Sequence, residues 1–221
     1  MPKFYSIALF VLIVAASGCA SFQTAGQVQR GRQALLMNEP ETALGYLMQA
    51  AEKDPNYIYT SGNFRESIWT YVGRAQYALG RHDEARSSFE RALSVYRDDA
   101  MAQLYLGLAM ARSGDREQGL KHIQTGLRGL SDWIEFLNRS RPYYAFWDPS
   151  GHIRKEIEKT LALPSGEQKE SLETLMASAE WVGQQMEEEI DKVRRDEERQ
   201  FRRGLDRDGR GGVGFGLGIG F

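Results

Sequence analysis

The feature that most constrains this chain is a repeat. Residues 66–99 laid over residues 100–133 at an offset of 34 pair like with like: Val72 with Leu106, Gly73 with Gly107, Ala75 with Ala109 and Gly80 with Gly114. The match continues through Asp83 with Glu117, Ala85 with Gly119, Phe89 with Ile123 and Leu93 with Leu127. Gly80 and Gly114 divide their units into two helical halves. A pair of short helices cannot bury its apolar face alone, whereas stacked pairs bury it against one another. The expected fold class is therefore all-α, a helical solenoid.

The first copy carries a recognisable signature: Trp69-x-x-Val72-Gly73 in its first helix, Gly80 in the turn, and Ala85-x-x-x-Phe89-x-x-Ala92 in its second. Together with the 34-residue period this resembles the tetratricopeptide repeat. The departures are Gln76, where the family usually has Tyr, and Arg97, where it usually has Pro. The physics agrees with the pattern, because Gly73 and Ala85 stand where two helices cross and a larger side chain would push the axes apart. A more diverged copy precedes it: Ala43, Leu47 and Ala50 match Ala85, Phe89 and Ala92 at an offset of 42, and Gly31 matches Gly73. Pro40 falls in the first turn of that copy's second helix, where a missing N–H costs little, and Pro55 ends it. The additional residues fall near 56–63, read as a loop with Tyr57 and Tyr59 at its base, a packed extension. Three units are expected, 24–55, 66–99 and 100–131, forming an array over 24–131.

Beyond the array the pattern changes. Residues 132–138 read as a short helix with Trp133, Phe136 and Leu137 on one side. Residues 141–149 cannot be helical throughout, since Pro142 and Pro149 bracket them. Their four aromatic residues, with a helix over 151–163, are expected to cap the last apolar face of the solenoid; connector and cap together span 132–163. Pro164-Ser165-Gly166-Glu167 is a stop followed by a capping signal. A long helix follows from Glu167 to Arg203, within a segment 164–203. Leu172, Leu175, Met176, Ala179, Val182, Met186, Ile190 and Val193 form one apolar stripe on it. That stripe packs either on the solenoid of the same chain or on a second copy, which would make a homodimer. From Arg194 onward charge takes over.

The first residues read as an address. Met1-Pro2-Lys3 is followed by an unbroken small or apolar run from Phe4 to Ala16, about the length of a signal-peptide core and too short to cross the ~30 Å of bilayer hydrocarbon. The run ends in Ala16-Ser17-Gly18-Cys19, which resembles the bacterial lipobox, with Ala16 where that motif prefers Leu. The resemblance implies cleavage of residues 1–18, a diacylglyceryl thioether and an acylated amine on Cys19, and a short lipidated linker over 19–23. Ala20 rather than Asp then implies sorting to the outer membrane, on its periplasmic face. Several acyl chains anchor a protein firmly without any spanning helix.

Composition narrows the chemistry. Lys+Arg 28 against Asp+Glu 30 leaves a net charge of −2, the wrong sign for a protein that lives by neutralising phosphates, so nucleic acid is not an expected partner. One cysteine allows no internal disulfide and no Cys-based zinc cluster. Three histidines (His82, His122, His152) offer little for a metal, and nothing places a nucleophile beside any of them. Asp206-Arg207-Asp208-Gly209 begins like a calcium loop but lacks the third acidic ligand and the closing Glu. Neither an enzyme nor a metal or cofactor is expected, apart from the covalent lipid on Cys19.

Tetratricopeptide arrays bind other proteins, their first helices lining a concave groove. Helical spacing places Val28, Arg32 and Leu35 there in the first unit, Thr70, Arg74 and Tyr77 in the second, and Leu104, Leu108 and Arg112 in the third. The arginines would pair with carboxylates and the apolar residues would take side chains, either from a partner or from the chain's own long helix. The resemblance implies a scaffold among other envelope proteins, similar to the lipoproteins that support outer-membrane protein insertion and pilus secretin assembly. An adaptor of an envelope enzyme such as a peptidoglycan hydrolase, or a self-assembling structural component, are the alternatives. The segment 204–221 is Gly-rich, and its end alternates glycine with Val213, Phe215, Leu217, Ile219 and Phe221. Extended, it would put all five on one face. It is either a flexible tail or a strand that docks through Phe215, Leu217, Ile219 and Phe221 on a sheet edge or membrane.

Overall fold

The computed structural model describes residues 23–61, 63–140, 147–163 and 169–209. The expected leader, Cys19, residues 141–146 of the aromatic connector and the glycine-rich tail from residue 210 lie outside the described residues. The elements are α1 (23–36), α2 (Pro40–Lys53), β1 (Ile58–Ser61), β2 (Phe64–Ser67), α3 (Ile68–Ala78), α4 (His82–Val95), α5 (Ala100–Arg112), α6 (Arg116–Ser140), α7 (His152–Leu161) and α8 (Lys169–Gly209). No described helix is long and apolar enough to cross a membrane.

Three helical hairpins, α1–α2, α3–α4 and α5–α6, repeat one packing solution. A Cβ added at Gly31 would lie 2.5 Å from Leu47, at Gly73 2.6 Å from the Phe89 ring, and at Gly107 2.4 Å from the backbone nitrogen of Ile123. The three glycines are one position of the repeat, and each lets its hairpin close. The turn is shared as well: Asn38, Gly80 and Gly114, again one position, have φ of 58°, 74° and 102°. Asn tolerates the left-handed region better than most side chains, which identifies the diverged first unit by its backbone. Pro40 opens α2, and Lys53 closes it before Pro55.

Asp99 ties successive units together. It caps α5 through the Ala102 N–H (2.9 Å) and accepts from the Ser67 N–H (2.8 Å) and the Thr70 hydroxyl (2.6 Å). Burial pushes its carboxyl up to about 6 in spite of these three donors.

Two expectations need correcting. The insert is not an irregular loop but an antiparallel hairpin, β1 with β2, paired from Ile58 with Ser67 to Ser61 with Phe64. Tyr59 and Phe64 anchor it in the core, and the Trp69 indole donates to the Pro55 carbonyl at its base (2.7 Å). Residues 132–138 are not a separate helix. α6 runs unbroken from Arg116 to Ser140, because neither Ser131 nor Asp132 interrupts it and Ile134 and Leu137 continue the buried face of Ile123, Leu127 and Leu130.

Trp147, only 3% exposed, packs edge-on to Trp133 (4.5 Å between centroids) beside Phe64, so this one side chain bridges the last unit and the hairpin. Ile153 and Ile157 of α7 are buried as well, on a helix that packs against α8 and α6. Along α8 the apolar stripe from Leu175 to Val193 is buried within the chain. In this conformation it leaves no apolar seam over those residues for a homodimeric coiled coil.

Candidate interaction groove

The first helices of the three units turn one face toward α8. Arg32 of α1, Arg74 and Tyr77 of α3, and Arg112 of α5 all meet carboxylates of α8. Those carboxylates, Glu173, Glu180 and Glu187, stand seven residues apart, two helical turns, and so share one face. Arg112 lies 3.1 Å from Glu173 and 3.2 Å from Glu180. The Tyr77 hydroxyl donates to Glu180 Oε1. Arg74 donates to Glu187 Oε1, and Arg32 donates to Glu187 Oε2 at 2.8 Å, with Asp191 3.6 Å away.

The ladder deepens along its length. At the Arg112 end both partners are substantially exposed, with side-chain accessibilities of 34% and 51% for Arg112 and Glu173. At the other end Arg32 is at 0% and Glu187 at 4%. Exposed pairs contribute at most about 1 kcal/mol. A buried pair repays its desolvation only when its remaining hydrogen bonds are satisfied. Here the hairpin assists: Arg32 donates to the Tyr59 hydroxyl (2.7 Å), and its guanidinium lies 4.4 Å from the Tyr59 ring centroid. The insert thus completes the first unit's end of the groove.

The electrostatics of the buried end are strongly perturbed. Burial pushes the Glu187 carboxyl up, yet Arg74 and Arg32 together outweigh it and hold it below the usual carboxylate range. Glu66 on β2 goes the other way: burial, then the charge of Glu187, push it well above that range. The Tyr71 hydroxyl donates to Glu66 Oε2, and burial raises Tyr71 as well. Arg32 and Arg74 share Glu187, which they hold ionised, with Glu66 held toward its neutral form beside them.

The other expected groove residues are distributed differently. Leu104 packs against α6, where a Cβ on Gly126 would lie 2.5 Å from its backbone nitrogen, and Leu108 is fully buried. On α5 it is Tyr105 that meets α8, at Gly183, where an added Cβ would come within 2.6 Å of the phenol oxygen. Val28 is core, Thr70 is spent on Asp99, and Leu35 lines a cavity of about 280 Å³ with Arg74, Gln184 and Glu187. Sequence spacing identified the arginines and missed the carboxylates, whose heptad recurrence opposite three cations was the available signal.

Arg32, Arg74 and Arg112 each have a carboxylate acceptor on α8, while Arg32 Nε is buried without a hydrogen-bond partner among the described residues. Residues 66–99 match the family model of the tetratricopeptide repeat. The chain therefore contains a tetratricopeptide repeat, a protein-interaction module. No curated protein matches it.

Proposed function

We propose that this chain is a lipid-anchored tetratricopeptide scaffold at the periplasmic face of the outer membrane, holding together components of a cell-envelope or surface-machine assembly. The anchor rests on one observation, the apolar run from Phe4 to Ala16 ending in Ala16-Ser17-Gly18-Cys19. The lipid on Cys19 is the only non-protein group in this reading. The partner is another envelope protein. To enter the groove it must present what α8 presents, a helix with an apolar stripe beside carboxylates seven residues apart.

The anchor is tested by Cys19→Ser. Lipid labelling should vanish, and the chain should leave the outer-membrane fraction. Continued fractionation with the outer membrane would overturn the anchor. Crosslinking in cells identifies the partner class. Recovery of an insertion or secretion component supports the proposal. A peptidoglycan hydrolase, or only a second copy of the chain, would replace it with the adaptor or the self-assembling reading.

A further inference from the structure

Four large apolar side chains are exposed among the described residues, and three of them, Leu36, Met37 and Trp181, belong to one place. There a cavity of about 280 Å³ opens between the first unit, at Leu36 and Asn38, and α8, at Gln184 and Glu188, with Arg74 and Glu187 also lining it. Met37 lies between two of the lining residues. Trp181 stands one turn before Gln184 and two turns before Glu188, so all three share the exposed stripe of α8. The cavity is smaller than the roughly 300–1,000 Å³ of pockets for drug-sized ligands and suits a single long side chain.

Charge selects what that side chain is. The charged lining residues are Arg74 against Glu187 and Glu188, one carboxylate in surplus. Arg74 is already held by Glu187, whose other oxygen takes Arg32, and Arg32 has Asp191 3.6 Å away. Glu188 is exposed, and its side chain makes no ion pair or hydrogen bond among the described residues; nor do the side-chain amides of Asn38 and Gln184 make any. Glu39 and Glu41, at the start of α2, add two exposed carboxylates without an ion pair among the described residues. Arg81, which takes the place of Glu39 in the next unit, is paired with Glu84 (3.9 Å). An indole on the same helix face as a free carboxylate is a site for a cation, since the ring receives a guanidinium on its face and the carboxylate receives its charge. A carboxylate or phosphate there would meet like charge.

We propose that the mouth of this cavity docks an arginine side chain flanked by apolar residues, presented by an extended segment of another protein. The guanidinium lies between the Trp181 ring and the Glu188 carboxylate, with the carbonyl oxygens of the Gln184 and Asn38 side chains as further acceptors. Its apolar neighbours cover Leu36 and Met37. A partner in the groove must be acidic and must take the place of α8; this surface asks for the opposite charge and leaves α8 where it is. One wall belongs to the first unit and the other to α8, so a segment bound there also holds α8 in its seat.

The full chain carrying isotopically labelled tryptophan gives four indole N–H signals by NMR, from Trp69, Trp133, Trp147 and Trp181, and Trp181→Phe identifies the last by its loss. A synthetic peptide of alternating leucine and arginine is titrated in, with the same peptide carrying glutamate for arginine as its counterpart. The arginine peptide should shift the Trp181 signal saturably and leave the other three in place, and the glutamate peptide should not shift it. Glu188→Lys, on an exposed side chain, should weaken the arginine peptide by about fivefold or more, the factor that one exposed ion pair supplies. The signals of Trp69, Trp133 and Trp147 should stay where they are in that variant, as the check that the fold is kept. A Trp181 signal that neither peptide moves, or that both move equally, overturns the docking. So does an affinity that Glu188→Lys leaves unchanged. None of these readouts depends on the lipid at Cys19 or on the partner of the groove, so this surface and the scaffold of the preceding section fail separately.

Discussion

Glu187→Ala is the sharpest perturbation of the groove. The glutamate is 4% exposed in its side chain and holds Arg74 with one oxygen and Arg32, at 2.8 Å, with the other. Its removal leaves two buried guanidiniums with only the Tyr59 hydroxyl, Asp191 at 3.6 Å and Glu66 at 4.0 Å to share. Breaking a buried pair in this way costs about 3–5 kcal/mol, because the orphaned charge keeps its desolvation penalty. Glu173→Ala, on the same helix face but at the exposed end, should cost less than about 1 kcal/mol. The ratio is the test, since both variants remove one carboxylate from one helix. Urea unfolding followed by helical circular dichroism gives each loss, and hydrogen exchange reports whether α8 opens first. Replacing the whole buried set (Arg32→Met, Arg74→Leu, Glu187→Met) should recover most of the loss or better, as apolar replacement of buried ion networks often does. If Glu187→Ala costs no more than Glu173→Ala, α8 does not lie in the groove in solution, and the ladder has no energetic role.

Gly107→Ala should destabilise by about 1–3 kcal/mol or more, because its methyl would meet the Ile123 nitrogen and the Gly119 carbonyl at 2.4 and 2.5 Å and backbone cannot yield. Gly45→Ala, on an open helical site with nothing within 4 Å, should stabilise by about 1 kcal/mol; thermal melts of the pair check both signs. The raised carboxyl of Glu66 means that the folded chain holds a proton the unfolded chain has lost. Stability should therefore fall as pH climbs above the ordinary carboxylate range, by at most about 1.4 kcal/mol per pH unit for this group. Asp99 adds the same sign between its ordinary 3.8 and about 6. Glu66→Gln should flatten the profile of melting temperature against pH; an unchanged slope refutes the assignment. Deleting residues 211–221 should leave the melting temperature unchanged. A tail that docks by its alternating face would show as weaker partner or membrane association on that deletion, and unchanged affinity would make it only a flexible tail.

The period made most of the solenoid legible. An offset of 34 or 42 carries Gly31 to Gly73 to Gly107, and the offset of 34 carries Gly80 to Gly114, so a purely sequential match marked the close crossings and two of the three turns, while the turn at Asn38 emerged only from its backbone. The hairpin was not legible, because its strands are four residues each and owe their order to Tyr59 and Phe64 reaching a core built by distant helices. The continuity of α6 was hidden by treating the repeat length as a helix boundary, when the apolar steps from Leu130 to Ile134 and Leu137 ran straight through it. The groove was half legible. Helical spacing aimed Arg32, Arg74 and Arg112 in one direction, but Arg32 and Glu187 are 155 residues apart and no local rule connects them.

The contact between Gly183 and Tyr105 bears on how α8 keeps its place. A ladder of glutamates at seven-residue spacing is degenerate under translation: sliding the helix by two turns puts Glu180 where Glu187 stood and preserves a pairing. The position facing the Tyr105 phenol breaks that degeneracy. After a slide of seven residues it would be occupied by Met176 or Ile190, and even a single added Cβ there comes within 2.6 Å of the ring oxygen. Charge therefore sets which face of α8 looks into the groove, and the missing side chain at residue 183 sets where along the groove it stops.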